Sequence, residues 1–280
     1  MKALSPTPSS ISAPGPLLGR ADAFGVLRCH NPQFRILLCD AARRLYPRAT
    51  CATPRIDVAC AQIAAARPVN MTRTTVILCR HGESEGNREA RFGGHSPTPL
   101  TELGRSQASA TARRLAQTGV DVVLSSDLSR AEETAQIIGE VLGLPLEVTP
   151  LLRERSVGIF TGLSFDEARE CYPAEYQALL RREPDSAPPE GETYMQCRER
   201  ATGYLQEALA KHAGKRILLV SHQLTLYQLV LHIHGLSTPA TGPKVYVRID
   251  NCALHRFEHY EDGVWQVLAL NDAAHLDQRL

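Results

Sequence analysis

Short apolar runs alternate with amphipathic stretches over most of the chain after residue 71. The first run, Thr74 to Cys79, has no polar alternation and the length of a strand that is buried on both faces. From Thr101 to Gly119 the apolar residues recur three and four positions apart, which predicts an amphipathic helix. The first pattern predicts further strands at 120–124, 146–148 and 216–221. The second predicts a helix that starts from a cap at Ser126 or Asp127 and ends at Gly143. It also predicts helices over 164–182, with a break at Pro173, over 193–212 and over 222–234.

The C-terminal part of the chain contains two more predicted strands around an Asp262-Gly263 turn. One of them lies at 245–249 or at 254–257, and the other at 265–270. Regular alternation of strands and helices with short connections is typical of an α/β domain. We therefore expect an α/β fold, in the form of a three-layer α/β/α sandwich with a mostly parallel central sheet.

The composition of the 280 residues is that of a globular protein and argues against several functional classes. The balance of 31 Lys and Arg residues against 30 Asp and Glu residues disfavours a nucleic-acid or membrane-surface partner. No apolar run reaches the ~18 residues that a transmembrane helix needs. The eight cysteines form no Cys-x-x-Cys pair, so they indicate neither a disulfide framework nor a zinc site. We expect a cytoplasmic protein.

Residues 1–70 differ in composition from the rest of the chain. They contain nine basic residues, three acidic ones and eight of the 18 prolines. Pro- and Ser-rich segments of this kind do not support regular structure, so we expect a disordered or non-native leader before a domain at 71–280. One reading is an over-long gene product that truly starts at Met71, and the other is a targeting leader. In either case we expect the leader to be dispensable for stability and activity.

Polar residues that carry chemistry follow three of the predicted strands. Arg80 and His81 end the first, Arg130 lies shortly after the second, and His222 follows the strand that ends at Ser221. Ligands of open α/β sheets bind outside the carboxyl ends of the strands, so these side chains can meet in one crevice. Arginine binds phosphate oxygens in a bidentate manner, and a neutral imidazole can attack phosphorus. The set predicts a phosphoryl-transfer site.

Such a reaction also needs a proton source for the leaving oxygen, and Glu154 is the candidate. It lies between Arg153 and Arg155, so a surface ion pair is the alternative interpretation of this residue.

Several motifs in this order resemble those of the histidine phosphatase superfamily, in its phosphoglycerate mutase-like branch. They cover about residues 73–235. The matching blocks are Arg80-His81-Gly82-Glu83-Ser84 with Asn87, Pro99-Leu100-Thr101 with Gly104, Ser125-Ser126 with Arg130 and Thr134, Leu152-x-Glu154, Pro189-x-Gly191-Glu192, and Val220-Ser221-His222.

The resemblance implies a role for each candidate residue. His81 would be the nucleophile that becomes phosphorylated, and Glu154 the acid and base. The phosphate clamp would consist of Arg80, Arg130 and His222, and the substrate contacts would come from Asn87, Gly93 and Gly94. Gln223 replaces the Gly that commonly follows the second histidine, and we expect its side chain to contact the substrate at the rim of the pocket. The family uses no metal, and we expect no cofactor.

Two departures from the family pattern bear on the reaction. Gly86 stands where mutases of this branch carry Trp, and Ser156-Val157-Gly158 lacks their His-Tyr pair, whereas Arg181-Arg182 resembles the basic pair with which they hold a carboxylate. Because a mutase must exclude water and a phosphatase must admit it, we expect a phosphomonoester hydrolase. The alternatives are a cofactor-dependent phosphoglycerate mutase and a non-catalytic phospholigand-binding protein. The expected partner is a small phosphorylated metabolite, and a homodimer is one option for the assembly.

Overall fold

The computed structural model describes residues 72–237 and 246–276. Our predictions for residues 1–70 therefore lie outside the described residues. Within these two ranges, no helix is both long enough and apolar enough to cross a membrane.

The centre of the domain is a six-stranded sheet in the order β3-β2-β4-β1-β5-β6. The strands β1 to β4 pair in parallel, whereas β5 is antiparallel to β1 and β6 is antiparallel to β5. The mostly parallel sheet predicted from the sequence is confirmed. The strands are β1 (Arg73–Arg80), β2 (Val122–Ser126), β3 (Leu146–Thr149), β4 (Arg216–Ser221), β5 (Leu254–Tyr260) and β6 (Trp265–Asp272).

Seven α-helices lie in the described ranges, and most begin within two residues of the predicted positions. They are α1 (Glu85–Arg88), α2 (Glu102–Thr118), α3 (Ser129–Leu142), α4 (Phe165–Cys171), α5 (Pro173–Arg181), α6 (Tyr194–Lys211) and α7 (Gln223–Ile233).

Helices cover both faces of the sheet. On one face, alternate residues such as Leu78 and Leu219 pack in a buried cluster with α6 and α7. On the other face, their neighbours Cys79 and Val220 pack with α2 and α3. Strands buried on both sides need apolar residues at every position, which explains why the runs that became β1 and β4 show no polar alternation. The result is the expected three-layer α/β/α sandwich.

Two local predictions are wrong. The N-cap of α3 is Leu128, which makes no side-chain capping hydrogen bond. Ser126 instead accepts a hydrogen bond from the backbone N–H of Leu128, and Asp127 binds Arg153, so neither caps the helix. The apolar periodicity from Thr101 to Gly119 also predicts that Leu103 lies on the buried face of α2, yet it is 53% exposed. Leu103 lies in the first turn of α2. In this turn the neighbouring Gly104 makes the close contact, with the backbone of Glu83.

The open choice in the C-terminal part is settled in favour of 254–257, because β5 extends over Leu254–Tyr260. Residues 246–249 form no strand. They pass over the carboxyl end of β1, where the carbonyl of Ile249 accepts a hydrogen bond from Arg80. This segment therefore borders the place where the sequence predicts the site.

Candidate active site

The carboxyl ends of β1 and β4 bring the first two candidate histidines together. Arg80 is directly opposite Ser221 in the parallel pair, so the next residue of each strand enters the same space. The backbone N–H of His81 donates to the carbonyl of Ser221 at 3.0 Å. The imidazole rings of His81 and His222 follow, with their centroids 5.1 Å apart.

The His81 ring is held in one tautomer. It is 3% exposed, and its Nδ1 lies 2.7 Å from the carbonyl oxygen of Gly82. A carbonyl can only accept, so Nδ1 carries the proton and the neutral ring keeps its lone pair on Nε2. Burial, followed by the charges of Arg130 and Arg80, holds the pKa of His81 well below its usual range. The ring is therefore neutral, with a free lone pair on Nε2, which is the form that the predicted nucleophile needs.

Gly82 lies at a close approach between the chain and α2, where no side chain would fit. A Cβ atom at this position would lie 2.4 Å from the carbonyl oxygen of Gly104. The backbone N–H of Gly82 donates to the hydroxyl of Thr134 on α3 at 3.1 Å. Close packing against two helices fixes the carbonyl that orients the His81 ring.

Arg130, in the first turn of α3, faces the His81 ring. It is 3% exposed, and its Nε donates to His81 Nε2 at 3.3 Å. Its other nitrogens donate to the carbonyls of Gly94 at 2.8 Å and Ser96 at 3.1 Å. Burial lowers the pKa of Arg130 to about 10, so the guanidinium stays charged near neutral pH. The predicted Gly93-Gly94 turn thus holds Arg130 in place.

Arg80 and His222 each leave one buried nitrogen without a hydrogen-bond partner in the described structure: Arg80 Nε and His222 Nδ1. Arg80 Nη1 donates to the carbonyl of Ile249 at 2.9 Å, and His222 Nε2 lies 2.9 Å from the Ser126 hydroxyl. Burial and then the charge of Arg130 also hold the pKa of His222 well below its usual range. Buried polar atoms without partners are uncommon, and in a crevice beside two buried histidines they are candidate donors to a ligand.

Glu154 lies at the same crevice, and the surface ion pair is wrong for this residue. Arg153 turns to Asp127 with two hydrogen bonds, of 2.7 Å and 2.6 Å. Arg155 is 1% exposed and stacks on Tyr194, 4.1 Å from its ring centroid. The two flanking arginines are therefore occupied elsewhere.

The carboxylate of Glu154 instead meets the N-terminus of α7. It accepts hydrogen bonds from the backbone N–H groups of Leu224 at 3.2 Å and Thr225 at 3.3 Å. Its charge raises the pKa of Arg80 and of Arg130, which opposes the effect of their burial. The carboxylate is thus within electrostatic range of both clamp arginines.

The remaining predicted contact residues lie around this centre. The side-chain oxygen of Asn87 caps α1 by accepting from the N–H of Ser84, and also accepts from Asn251 at 3.2 Å. The amide of Gln223 donates to the hydroxyl of Tyr246 at 2.9 Å. Their roles as substrate contacts, like that of the Gly93-Gly94 turn, stay predictions.

Comparison with known proteins identifies the family. A match to the histidine phosphatase superfamily (branch 1) spans residues 76–273. The chain belongs to this superfamily. The phosphoglycerate mutase-like branch is supported by a protein from Cronobacter sakazakii named "Probable phosphoglycerate mutase GpmB", which is 36% identical over 206 residues, 72% of this chain and 94% of the relative.

Several solved structures are similar to about the same share of the chain. YhfR of Bacillus stearothermophilus has a TM-score of 0.67 at 28% identity, and covers 73% of this chain and 100% of its own. A mycobacterial glucosyl-3-phosphoglycerate phosphatase in complex with VO3 has a TM-score of 0.62 at 27% identity, over 72% and 99%. The alpha-ribazole phosphatase of Shigella flexneri has a TM-score of 0.65 at 26% identity, over 71% and 96%.

Three residues of this histidine phosphatase site were not found from the sequence. Asn251 donates to the backbone carbonyl of His81 at 2.9 Å, Thr225 donates to the carbonyl of Arg153 at 2.7 Å, and Arg200 binds the carbonyl of Glu154 at 3.1 Å. Thr225 follows the second histidine by three residues and could have been suspected as part of the first turn of α7. Asn251 and Arg200 have no local sequence signal, because only the fold brings them to the site.

Replacing Arg130 with lysine is expected to slow phosphoryl transfer by about 10²-fold, because one ammonium cannot supply the donors of a guanidinium fork. The Gly93-Gly94 turn also loses its contact with the side chain. Rapid-quench kinetics on an aryl phosphate measures this step. Arg105→Lys is the matched control, since Arg105 pairs with Glu133 at the partly exposed surface of α2. Unchanged transfer in Arg130→Lys would remove Arg130 from the clamp.

The two buried histidines should make the fold sensitive to acid. Their pKa values are lowered in the folded state, so between those values and about 6.5 the unfolded chain binds more protons than the folded one. Stability should then fall as the pH falls below about 6.5, by up to about 1.4 kcal/mol per pH unit for each such histidine. Urea unfolding at pH 7.5 and pH 5 should show a smaller loss for His222→Asn than for the unaltered protein. Equal losses would contradict a neutral, buried His222.

Proposed function

We propose that this protein is a metal-independent phosphatase that hydrolyses a small phosphomonoester through a phosphohistidine at His81. The observation that carries the proposal is the single tautomer of His81: Nδ1–H bonds the Gly82 carbonyl, and Nε2 is directed to Arg130. A buried imidazole with its lone pair facing an arginine suits attack on a bound phosphoryl group.

The phosphoryl oxygens would be bound by the groups that surround Nε2. Arg130 supplies its charge, and the unpartnered Arg80 Nε and His222 Nδ1 supply donors. For His222 Nδ1 to donate, the Ser126 hydroxyl must donate to Nε2, and Ser126 can do so while it accepts from the N–H of Leu128. Two guanidinium charges offset the charge of the phosphoryl group, so this proposal needs no metal ion.

In the first step, the lone pair of His81 Nε2 forms a bond to phosphorus and the bond to the leaving oxygen breaks. The ring gains positive charge, which the hydrogen bond from Nδ1 to the Gly82 carbonyl stabilises. Glu154, in its protonated form, gives its proton to the leaving oxygen, so that an alcohol departs.

In the second step, a water molecule attacks the phosphorus atom of the phosphohistidine. The Glu154 carboxylate takes a proton from this water, the bond between nitrogen and phosphorus breaks, and inorganic phosphate leaves. His81 returns to its neutral form and Glu154 is again protonated. The cycle thus balances with one ester and one water consumed.

A cofactor-dependent phosphoglycerate mutase is the second candidate, supported by the name of the 36% identical relative. Two positions favour the phosphatase. Gly86 is buried against Thr98, and the pair Ser156-Val157 stands where the mutases carry their His-Tyr pair. Neither position carries an aromatic ring that would keep water from the phosphohistidine.

Phosphate release from a panel of monoesters, with and without 2,3-bisphosphoglycerate, tests the proposal. The panel includes 3-phosphoglycerate, sugar phosphates, nucleotides and phosphorylated cofactor precursors. We expect inorganic phosphate to form in step with the alcohol, without any need for the bisphosphate. Isomerisation of 3-phosphoglycerate that depends on the bisphosphate and outpaces phosphate release would establish the mutase. Binding without any turnover would leave the non-catalytic alternative.

A further inference from the structure

A partly buried ion pair lies behind the loop that carries Glu154. Arg200, on α6, binds Glu192 with two hydrogen bonds, from Nε to Oε1 at 2.7 Å and from Nη2 to Oε2 at 2.9 Å. Their side chains are only 18% and 17% exposed. A bidentate pair of this kind fixes the orientation of both side chains as well as their distance.

The same pair holds the loop at three points. Arg200 Nη1 donates to the carbonyl of Leu151 at 2.8 Å, and Nη2 donates to the carbonyl of Glu154 at 3.1 Å. Glu192 Oε2 accepts from the backbone N–H of Ser156 at 3.3 Å. The pair therefore contacts the backbone before Glu154, at Glu154 itself and after it.

The Glu154 residue is thus fixed at both ends. Its carboxylate meets the backbone N–H groups of Leu224 and Thr225, while its carbonyl is bound by Arg200 from inside the molecule. His95 Nε2 lies 2.8 Å from the same carbonyl on the solvent side. A shift of this carbonyl would displace the carboxylate relative to the leaving oxygen.

We propose that Arg200, held by Glu192, is a positioning residue that sets the Glu154 carboxylate for proton transfer to the leaving group. This inference rests on the proposed function, in which Glu154 is the acid. Arg200 touches neither substrate nor His81 in this role and acts through the loop alone.

Lysine cannot replace Arg200 in this position. The guanidinium donates to two carboxylate oxygens and two carbonyls at once, whereas an ammonium has three donors on one atom and cannot reach them all. A displacement of about 1 Å in a catalytic group can cost about 10²-fold in rate. Arg200→Lys should therefore slow the steps in which Glu154 gives or takes a proton, and leave proton-independent transfer to His81 largely unchanged.

The test compares leaving groups in the first turnover. Rapid-quench kinetics measures release of the alcohol from an alkyl phosphate, which needs a proton, and of the phenol from an activated aryl phosphate, which does not. The proteins are the unaltered chain, Glu154→Gln, Arg200→Lys, the double variant and the control Arg198→Lys. Arg198 lies two residues away on α6 and donates to the carbonyl of Leu236.

We expect Arg200→Lys to slow release of the alcohol from the alkyl phosphate about 10- to 10²-fold, and release of the phenol from the aryl phosphate much less. The double variant should release the alcohol no more slowly than Glu154→Gln alone. Arg198→Lys should change neither rate. Both substrates are measured on the same protein sample. The ratio of the alkyl rate to the aryl rate therefore does not depend on the fraction of folded protein. Glu192→Gln, which breaks the same ion pair, should give the same ratio and replaces Arg200→Lys if that variant does not fold.

Equal losses for both substrates, or additive losses in the double variant, would overturn the inference and leave Arg200 with a structural role. If Glu154→Gln itself slows both substrates equally, Glu154 is not the acid and the inference falls with that assignment. If the unaltered protein releases the alcohol or phenol from no ester, the phosphatase proposal fails as well. The three failures are therefore distinguishable.

Discussion

His81→Ala is expected to lower turnover of every phosphomonoester by at least about 10⁴-fold, because the covalent route loses its nucleophile. Alanine leaves a small space at the carboxyl end of β1 and removes a ring whose burial lowers its pKa. The folded structure should therefore survive. Steady-state phosphate release measures the loss, and circular dichroism with thermal unfolding checks the fold.

His259→Ala is the matched control for this variant. His259 pairs with Thr74 at the opposite end of β1, far from the carboxyl ends that form the site. The His259→Ala variant should keep the full activity of the unaltered protein. A His81→Ala protein that folds and still turns over within about 10-fold of the unaltered protein would show that the covalent route does not pass through His81.

Glu154→Gln should slow the first turnover of an alkyl phosphate by about 10² to 10⁴-fold, the usual contribution of a general acid. Glutamine keeps the shape of the side chain and an acceptor for the N–H groups of α7, but it has no proton to give. Transfer from an activated aryl phosphate to His81 should be slowed much less. The burst phase is the right measurement, because the same residue also takes the proton from water in the second step.

Glu147→Gln is a suitable control, since Glu147 lies on β3 and pairs with Lys211 on the surface. If the bursts of both substrates slow equally in Glu154→Gln, the proton comes from another group. Glu83 is then the next residue to examine, although Thr101 already donates to its carboxylate at 2.8 Å.

The centre of the site could be predicted from the sequence because it follows from the topology of the sheet. His81, Arg130 and His222 each follow a parallel strand, and the carboxyl ends of such strands meet at one edge. Apolar runs without alternation were enough to identify these strands. Local patterns therefore determine which side chains meet, even when they lie far apart along the chain.

The supporting contacts could not be predicted in this way. Asn251 lies 170 residues beyond His81, and Arg200 lies 46 residues beyond Glu154. The orientation of Glu154 also depends on the contacts of its two neighbours. Arg153 binds Asp127, and Arg155 stacks on Tyr194, so neither pairs with Glu154. No period or motif in the sequence records such choices, because they are made by packing in the folded chain.

Identification of the phosphorylated atom tests the central claim most directly. The protein is mixed with an aryl phosphate, quenched in alkali, where phosphohistidine is stable, digested and analysed by mass spectrometry and ³¹P NMR. We predict one acid-labile phosphoryl group per chain, on Nε2 of His81, because Nδ1 is engaged with the Gly82 carbonyl. The group should be absent from His81→Ala. A phosphoryl group on His222, on a serine or on any other residue would contradict the account.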